Sequence, residues 1–164
     1  MSKTFKYLII LIFIYLVYSH FSGANIRPIP PYWSFLPFFH TEMASSIYPN
    51  IYLTENEYLE YKNQNLSIET ESVLIHESEH IKNWKNLGYL KFPYLYLFNK
   101  DFRLDEELRA IKTQMIFLKE NNAPYDIERK ALQFNGKEYG NLMTYEAAYT
   151  LLSETWLNTN PQTE

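Results

Sequence analysis

Cysteine is absent from the 164-residue chain. That excludes a disulfide framework and any thiolate metal site, so a bound metal would have to be held by imidazole and carboxylate. It says nothing about compartment. Glycine is scarce at 4 residues, and no short-period repeat runs through the chain, which excludes solenoids and low-complexity scaffolds. A surplus of positive charge is also missing: 15 Lys and Arg stand against 19 Asp and Glu, a formal net charge of −4. Nucleic acid drops out as a partner, because phosphate recognition needs a dense basic surface. No apolar run reaches the roughly 20 residues that a membrane-spanning helix requires.

What remains is a core-forming composition, 46% apolar and 18% aromatic, of a length that suits one compact domain. At the N-terminus, Lys3 and Lys6 precede an apolar run over residues 7–18, then polar Ser19 and His20 and the small residues Ser22, Gly23 and Ala24. This order reads as a signal peptide over residues 1–24 with cleavage after Ala24, or, if uncleaved, as a signal anchor that attaches the protein to a membrane through residues 7–18. Either way the domain is expected outside the cytoplasm: periplasmic, extracellular, or membrane-anchored and facing outward.

Residues 25–66 carry Pro28, Pro30, Pro31, Pro37 and Pro49 among aromatics. Proline removes backbone donors and restrains its predecessor, so an irregular wrapping segment is expected. A short strand is expected at residues 50–54, as an edge along which an extended peptide would lie.

Residues 67–164 read as a helical core. Ser67 is placed to cap a helix with Glu69 and Glu71 in its first turn, apolar Leu74, Ile81, Trp84 and Leu87 at helical spacing, and Gly88 at its end. A mixed segment around Pro93 follows. Asp105 is expected to cap a second long helix with the stripe Leu108, Ile111, Met115 and Leu118, stopping before Pro124. Two further helices are expected at 126–134 and 144–157, separated by the turn-like pairs Asn135-Gly136 and Tyr139-Gly140. The fold class is therefore mainly α, shading into α+β through at most a small sheet.

The chemistry is concentrated in His76-Glu77-Ser78-Glu79-His80. Histidines four apart on a helix stand one turn above each other on the same face, where both imidazoles reach one ion. Glu77 is offset by about 100° from His76, close enough to serve a water on that ion without ligating it. Zinc acidifies the water and polarises a carbonyl, and a carboxylate takes the proton. The competing structural reading is a solvated, charged helix face formed by Glu69, Glu71, Glu77, Glu79 and Lys82, and two histidines in register weigh against it.

A catalytic zinc takes a third protein ligand and leaves one position open. No histidine follows His80, and Asn83 and Asn86 stand where the longer metzincin motif wants glycine and its third histidine. Carboxylates are available in Asp105-Glu106-Glu107-Leu108-Arg109-Ala110, although acids near a helix start need no metal to account for them.

This second element resembles the ExxA motif that follows HExxH in gluzincin metallopeptidases, with Glu107 and Ala110 at the matching positions. The resemblance covers roughly residues 73–152 and takes in Trp84, Gly88, Arg103, Tyr139-Gly140 and Ala147-Ala148 as in small exported HExxH peptidases. It implies His76, His80 and Glu107 as Zn2+ ligands, Glu77 as general base, an Ala110 small enough for two helices to approach, and peptide or protein as substrate. Glu106 is the rival ligand. Arg109 departs from the pattern where an acid often stands, as does Ile111 where an Asp often does, which leaves no carboxylate assigned to orient a ligating histidine. Tyr139 is the candidate donor to an oxyanion, with a core role as the plainer reading. The alternative function is a non-hydrolytic envelope protein whose zinc is structural and closed by Glu106 or His40.

Overall fold

The computed structural model describes residues 26–35 and 43–160. The leader reading of residues 1–24 and the alternative ligand His40 both lie outside the described residues. Within them the chain is mainly helical with a small sheet, as its periodicities imply. In order come β1 (Ile26–Pro28), a 3-10 turn (Pro31–Phe35), β2 (Ser45–Ile47), β3 (Asn50–Leu53), α1 (Glu55–Lys62), α2 (Ile68–Leu87), α3 (Lys91–Phe98), α4 (Lys100–Glu120), α5 (Ile127–Asn135), a second 3-10 turn (Lys137–Tyr139) and α6 (Tyr145–Asn158).

The strand expected at 50–54 exists, but it is not an edge. The sheet order is β1-β3-β2, with β1 parallel to β3 and β2 antiparallel to it. All four residues of β3 are buried, as both faces of a central strand covered by protein require, so it offers no free edge to a peptide. The described residues of segment 25–66 are also more regular than its prolines suggest, because α1 follows the sheet directly. Glu57 starts that helix by accepting the Thr54 amide at 2.9 Å, the reciprocal contact of a capping box.

The helix caps explain most of the remaining boundaries. Ser67, Asp126 and Thr144 accept from the amides of Thr70, Arg129 and Ala147, as expected of these residue types. The expected cap at Asp105 is overturned: Asn99 Oδ1 accepts from Phe102 N at 3.0 Å, and α4 begins six residues earlier. The segment around Pro93 is helix α3, with Pro93 as its third residue. First-turn amides have no acceptor within their own helix, so proline costs nothing there. Gly88 ends α2 at φ +98°, where a side chain would be strained.

Two cores flank α2 and α4. On one side Ala44, Ile51 and Leu53 of the sheet region pack with Val73, Leu74 and Ile81 of α2. On the other, Ile111 and Met115 of α4 join Ala131 and Phe134 of α5 and Ala148 and Leu152 of α6. The expected stripes of α2 and α4 thus face different partners. Between them the helices meet directly: Gln114 donates to Ser72 at 3.0 Å, while Asn83 donates to Glu106 at 2.6 Å. The rising number on one helix meets the falling number on the other, so the pair is antiparallel. Ala110, fully buried, leaves room for that approach.

Candidate metal centre

The α2–α4 seam carries the polar cluster. His76, Glu77 and His80 are buried on α2, and Glu106 and Glu107 are buried on α4. Leaving such groups unpaired in an apolar seam would cost several kcal/mol each, so their partners matter. His76 Nε2 and His80 Nε2 approach to 3.2 Å. Glu107 Oε2 lies 3.5 Å from His76 Nε2, and Glu107 Oε1 lies 3.4 Å from His80 Nε2. One donor atom from each of the three residues falls within 4.8 Å of the others.

The 3.2 Å between the two nitrogens, with the carboxylate 3.4–3.5 Å from each through its two oxygens, leaves a space that suits a common ion. Donors bound at about 2.0–2.1 Å in a tetrahedron stand ~3.3 Å apart. Two nitrogens and a carboxylate oxygen are also the donor set that borderline metals such as zinc accept. A further observation favours the fit: Glu107 Oε2 is buried and accepts no hydrogen bond among the described residues, although buried carboxylate oxygens are ordinarily satisfied.

The surroundings divide the two glutamates. Glu106 Oε1 lies 3.2 Å from His80 Nδ1, behind the ring rather than in front of it. Its other oxygen accepts from Asn83 Nδ2 at 2.6 Å and from the Arg109 guanidinium. Arg109 also reaches Glu79 at 3.5 Å. Glu106 is thus fully engaged beside the histidine and does not close the site as a fourth donor. The arginine that departs from the gluzincin pattern anchors the carboxylate that orients His80, a task that histidine-bound metals generally assign to an outer carboxylate.

Glu107 has its own support. Tyr96 on α3 donates to its Oε1 at 2.5 Å, held by Phe92, which stacks between Trp84 and Tyr96 with centroids 4.9 and 5.9 Å away. Arg103 donates to the Tyr96 carbonyl at 2.5 Å, fixing the end of α3. Lys130 of α5 donates to the Tyr139 hydroxyl at 3.0 Å. The carboxylates of Glu107 and Glu77 act on both of these groups.

Charge is balanced tightly here. Burial pulls the His76 imidazolium down, and its contact with Glu107 only partly offsets this. Burial would lower His80 as well, yet Glu107, Glu106 and Glu77 outweigh it and raise its pKa to about 9. Burial would raise Glu107, but the two histidines and Lys130 hold it far below the usual carboxylate range. Burial and Glu107 push Tyr96 and Tyr139 well above the ordinary phenol value, so both hydroxyls remain protonated donors at neutral pH.

The structure therefore brings together His76, His80 and Glu107, with Glu77 in electrostatic reach and Tyr139 at the margin. Tyr96, Lys130 and the orienting role of Glu106 were not foreseen. Only the Asn83 to Glu106 pairing had a local signal, a polar residue one turn beyond His80 on the same helix. Compared with protein-family models, with curated proteins and with solved structures, the chain matches none of them.

Proposed function

We propose that the protein is a zinc-dependent peptide hydrolase acting outside the cytoplasm, with His76, His80 and Glu107 as ligands and Glu77 as general base. The observation that carries this reading is the convergence of two imidazole nitrogens 3.2 Å apart with the Glu107 carboxylate, whose unsatisfied Oε2 lies 3.5 Å from His76 Nε2 and whose Oε1 lies 3.4 Å from His80 Nε2. Zinc held there would supply an acidified water and a polarised carbonyl.

The chain's own residues do the rest. Glu77, one residue after His76 on the buried face of α2, accepts the proton released in attack and returns it to the leaving amine. Glu106 holds His80 with Nδ1 toward itself and Nε2 toward the site. Tyr96 positions Glu107. Tyr139, kept protonated and contacted by Lys130, is the hydroxyl donor suited to stabilising a developing oxyanion. A structural zinc would need no buried carboxylate at position 77, and of the two residues that could close it Glu106 is already engaged by Asn83 and Arg109, so the carboxylate at 77 favours hydrolysis.

The test is zinc content of the purified protein together with hydrolysis of a general protein substrate. The wild type should hold one zinc per chain and hydrolyse. Glu107→Ala should lose both. Glu77→Gln should keep the zinc and lose about 10²-fold or more of the rate. Zinc without hydrolysis in the wild type would move the protein to the non-hydrolytic reading, and absence of zinc would overturn both.

A further inference from the structure

Helix α3 is apolar on both sides, and among the described residues only one side has a partner. Its sequence, KFPYLYLF, places Phe92 and Tyr96 one turn apart, packed toward Trp84 and the candidate site. The opposite stripe begins at Leu90 and continues through Tyr94, Leu97 and Phe98, residues at helical spacing on one face. These are 74%, 65%, 58% and 75% exposed. Tyr94 and Phe98 contact each other with centroids 5.3 Å apart, so these two rings form one surface. A helix apolar all round normally has cover on all sides, and contiguous exposed apolar patches of this kind mark contact surfaces.

Charge decides between partners. From residue 88 to residue 100 the chain contains Lys91 and Lys100 and no acidic residue, although the protein as a whole carries a net charge of −4. Both lysines are exposed, Lys91 as the first residue of α3 and Lys100 as the first residue of α4, where the exposed Asp101 follows it. Leucine and aromatics bracketed by lysines form the pattern of a helix lying in the headgroup region of an anionic bilayer, where tyrosine and phenylalanine rings bridge acyl chains and water. With eight residues α3 cannot cross a membrane, and no helix among the described residues is long and apolar enough to do so. The apolar run at residues 7–18 provides an independent reason for the chain to be near a membrane.

We propose that the stripe Leu90, Tyr94, Leu97 and Phe98 seats α3 in the interface of an anionic lipid bilayer, with Lys91 and Lys100 on the headgroups. The opposite face of the same helix carries Tyr96 to Glu107, so the bilayer and the candidate site lie about one helix diameter apart. This inference does not depend on the metal reading.

The test uses the full chain, whose lack of cysteine permits a single label. Leu97→Cys and, as a control at a solitary exposed leucine on α5, Leu132→Cys are labelled with a nitrobenzoxadiazole fluorophore. Each is mixed with phosphatidylcholine vesicles with or without phosphatidylglycerol, carrying nitroxide-labelled lipid. The label at 97 should shift to the blue and be quenched by the nitroxide lipid on anionic vesicles severalfold more than the label at 132. Lys91→Gln and Lys100→Gln should each weaken the lipid-dependent signal by roughly fivefold. Equal nitroxide quenching at 97 and 132 would overturn the proposal. So would a label at 97 that is shielded from aqueous iodide before vesicles are added, because the stripe would then be covered by the protein itself.

Discussion

Glu106 and Glu107 are neighbours in sequence, yet they address opposite nitrogens of one imidazole. Glu107 Oε1 lies 3.4 Å from His80 Nε2, and Glu106 Oε1 lies 3.2 Å from His80 Nδ1. The helical step between consecutive residues turns one carboxylate toward the front of the ring and the other toward its back.

This division gives the two variants different severity. Glu107→Ala removes a proposed ligand and should abolish stable zinc binding. Glu106→Gln keeps an oxygen near Nδ1 but removes the charge, and should weaken zinc affinity by about 10–100-fold. Competition against a chromogenic chelator measures both. Equal losses in the two variants would mean that the assignment of front and back is wrong.

Zinc should also act as a folding ligand, because the donor set exists only when α2 and α4 are packed. At free zinc about 1,000 times its dissociation constant, the gain should approach 4 kcal/mol. It would be read as an upward shift of the thermal midpoint in the wild type and a nearly absent shift in Glu107→Ala. A midpoint that ignores zinc in the wild type would mean that the native state has no selective affinity for it.

Acid should loosen the α1–α2 junction. Glu60 accepts from Ser67 N at 3.0 Å and from Ser67 Oγ at 2.7 Å, and these bonds lower its pKa below the ordinary 4.5. Because the folded value lies below the unfolded one, the contribution is fully present above the unfolded pKa. It is lost as pH falls through the folded pKa. The urea midpoint of Glu60→Gln should trail that of the wild type at neutral pH, and the gap should close in acid. A gap independent of pH would show that the charge is not what the junction uses.

Gly140 should resist substitution. It sits at φ +68°, and a Cβ there would stand 3.3 Å from the Arg103 guanidinium, which is held by the carbonyls of Tyr96 and Leu97. Gly140→Ala should cost about 1–2 kcal/mol from the left-handed backbone alone, read by urea denaturation. Asn141, already at φ +53° in the next position, is a residue type that tolerates this region and should accept glycine with little change.

Much of this architecture was legible because its signals are local. A serine, aspartate or threonine before an apolar period announced α2, α5 and α6, and the four-residue spacing of His76 and His80 announced the site. The errors have physical causes too. Asp105 mimicked a cap because acids favour any helix start, whereas Asn99 supplied the real one with an equally competent side chain. The segment around Pro93 reads as mixed because sequence alone does not reveal that the proline falls within a first turn. The β3 strand was misplaced at an edge because strand order depends on pairing partners distant in sequence. The roles of Tyr96, Lys130 and Glu106 could not be read, since each depends on which helix packs beside which.

The hydrogen bond from Tyr96 to Glu107 bears on which metal the centre would accept. With Oε1 already engaged by a phenol at 2.5 Å and Oε2 left without a donor, the carboxylate is biased toward monodentate ligation. Calcium favours oxygen-rich shells with bidentate carboxylates and six or more ligands, and magnesium favours an octahedron of oxygens. A shell of two imidazoles and one single-toothed carboxylate suits neither. The tyrosine would thus discriminate among ions by denticity, without touching the metal.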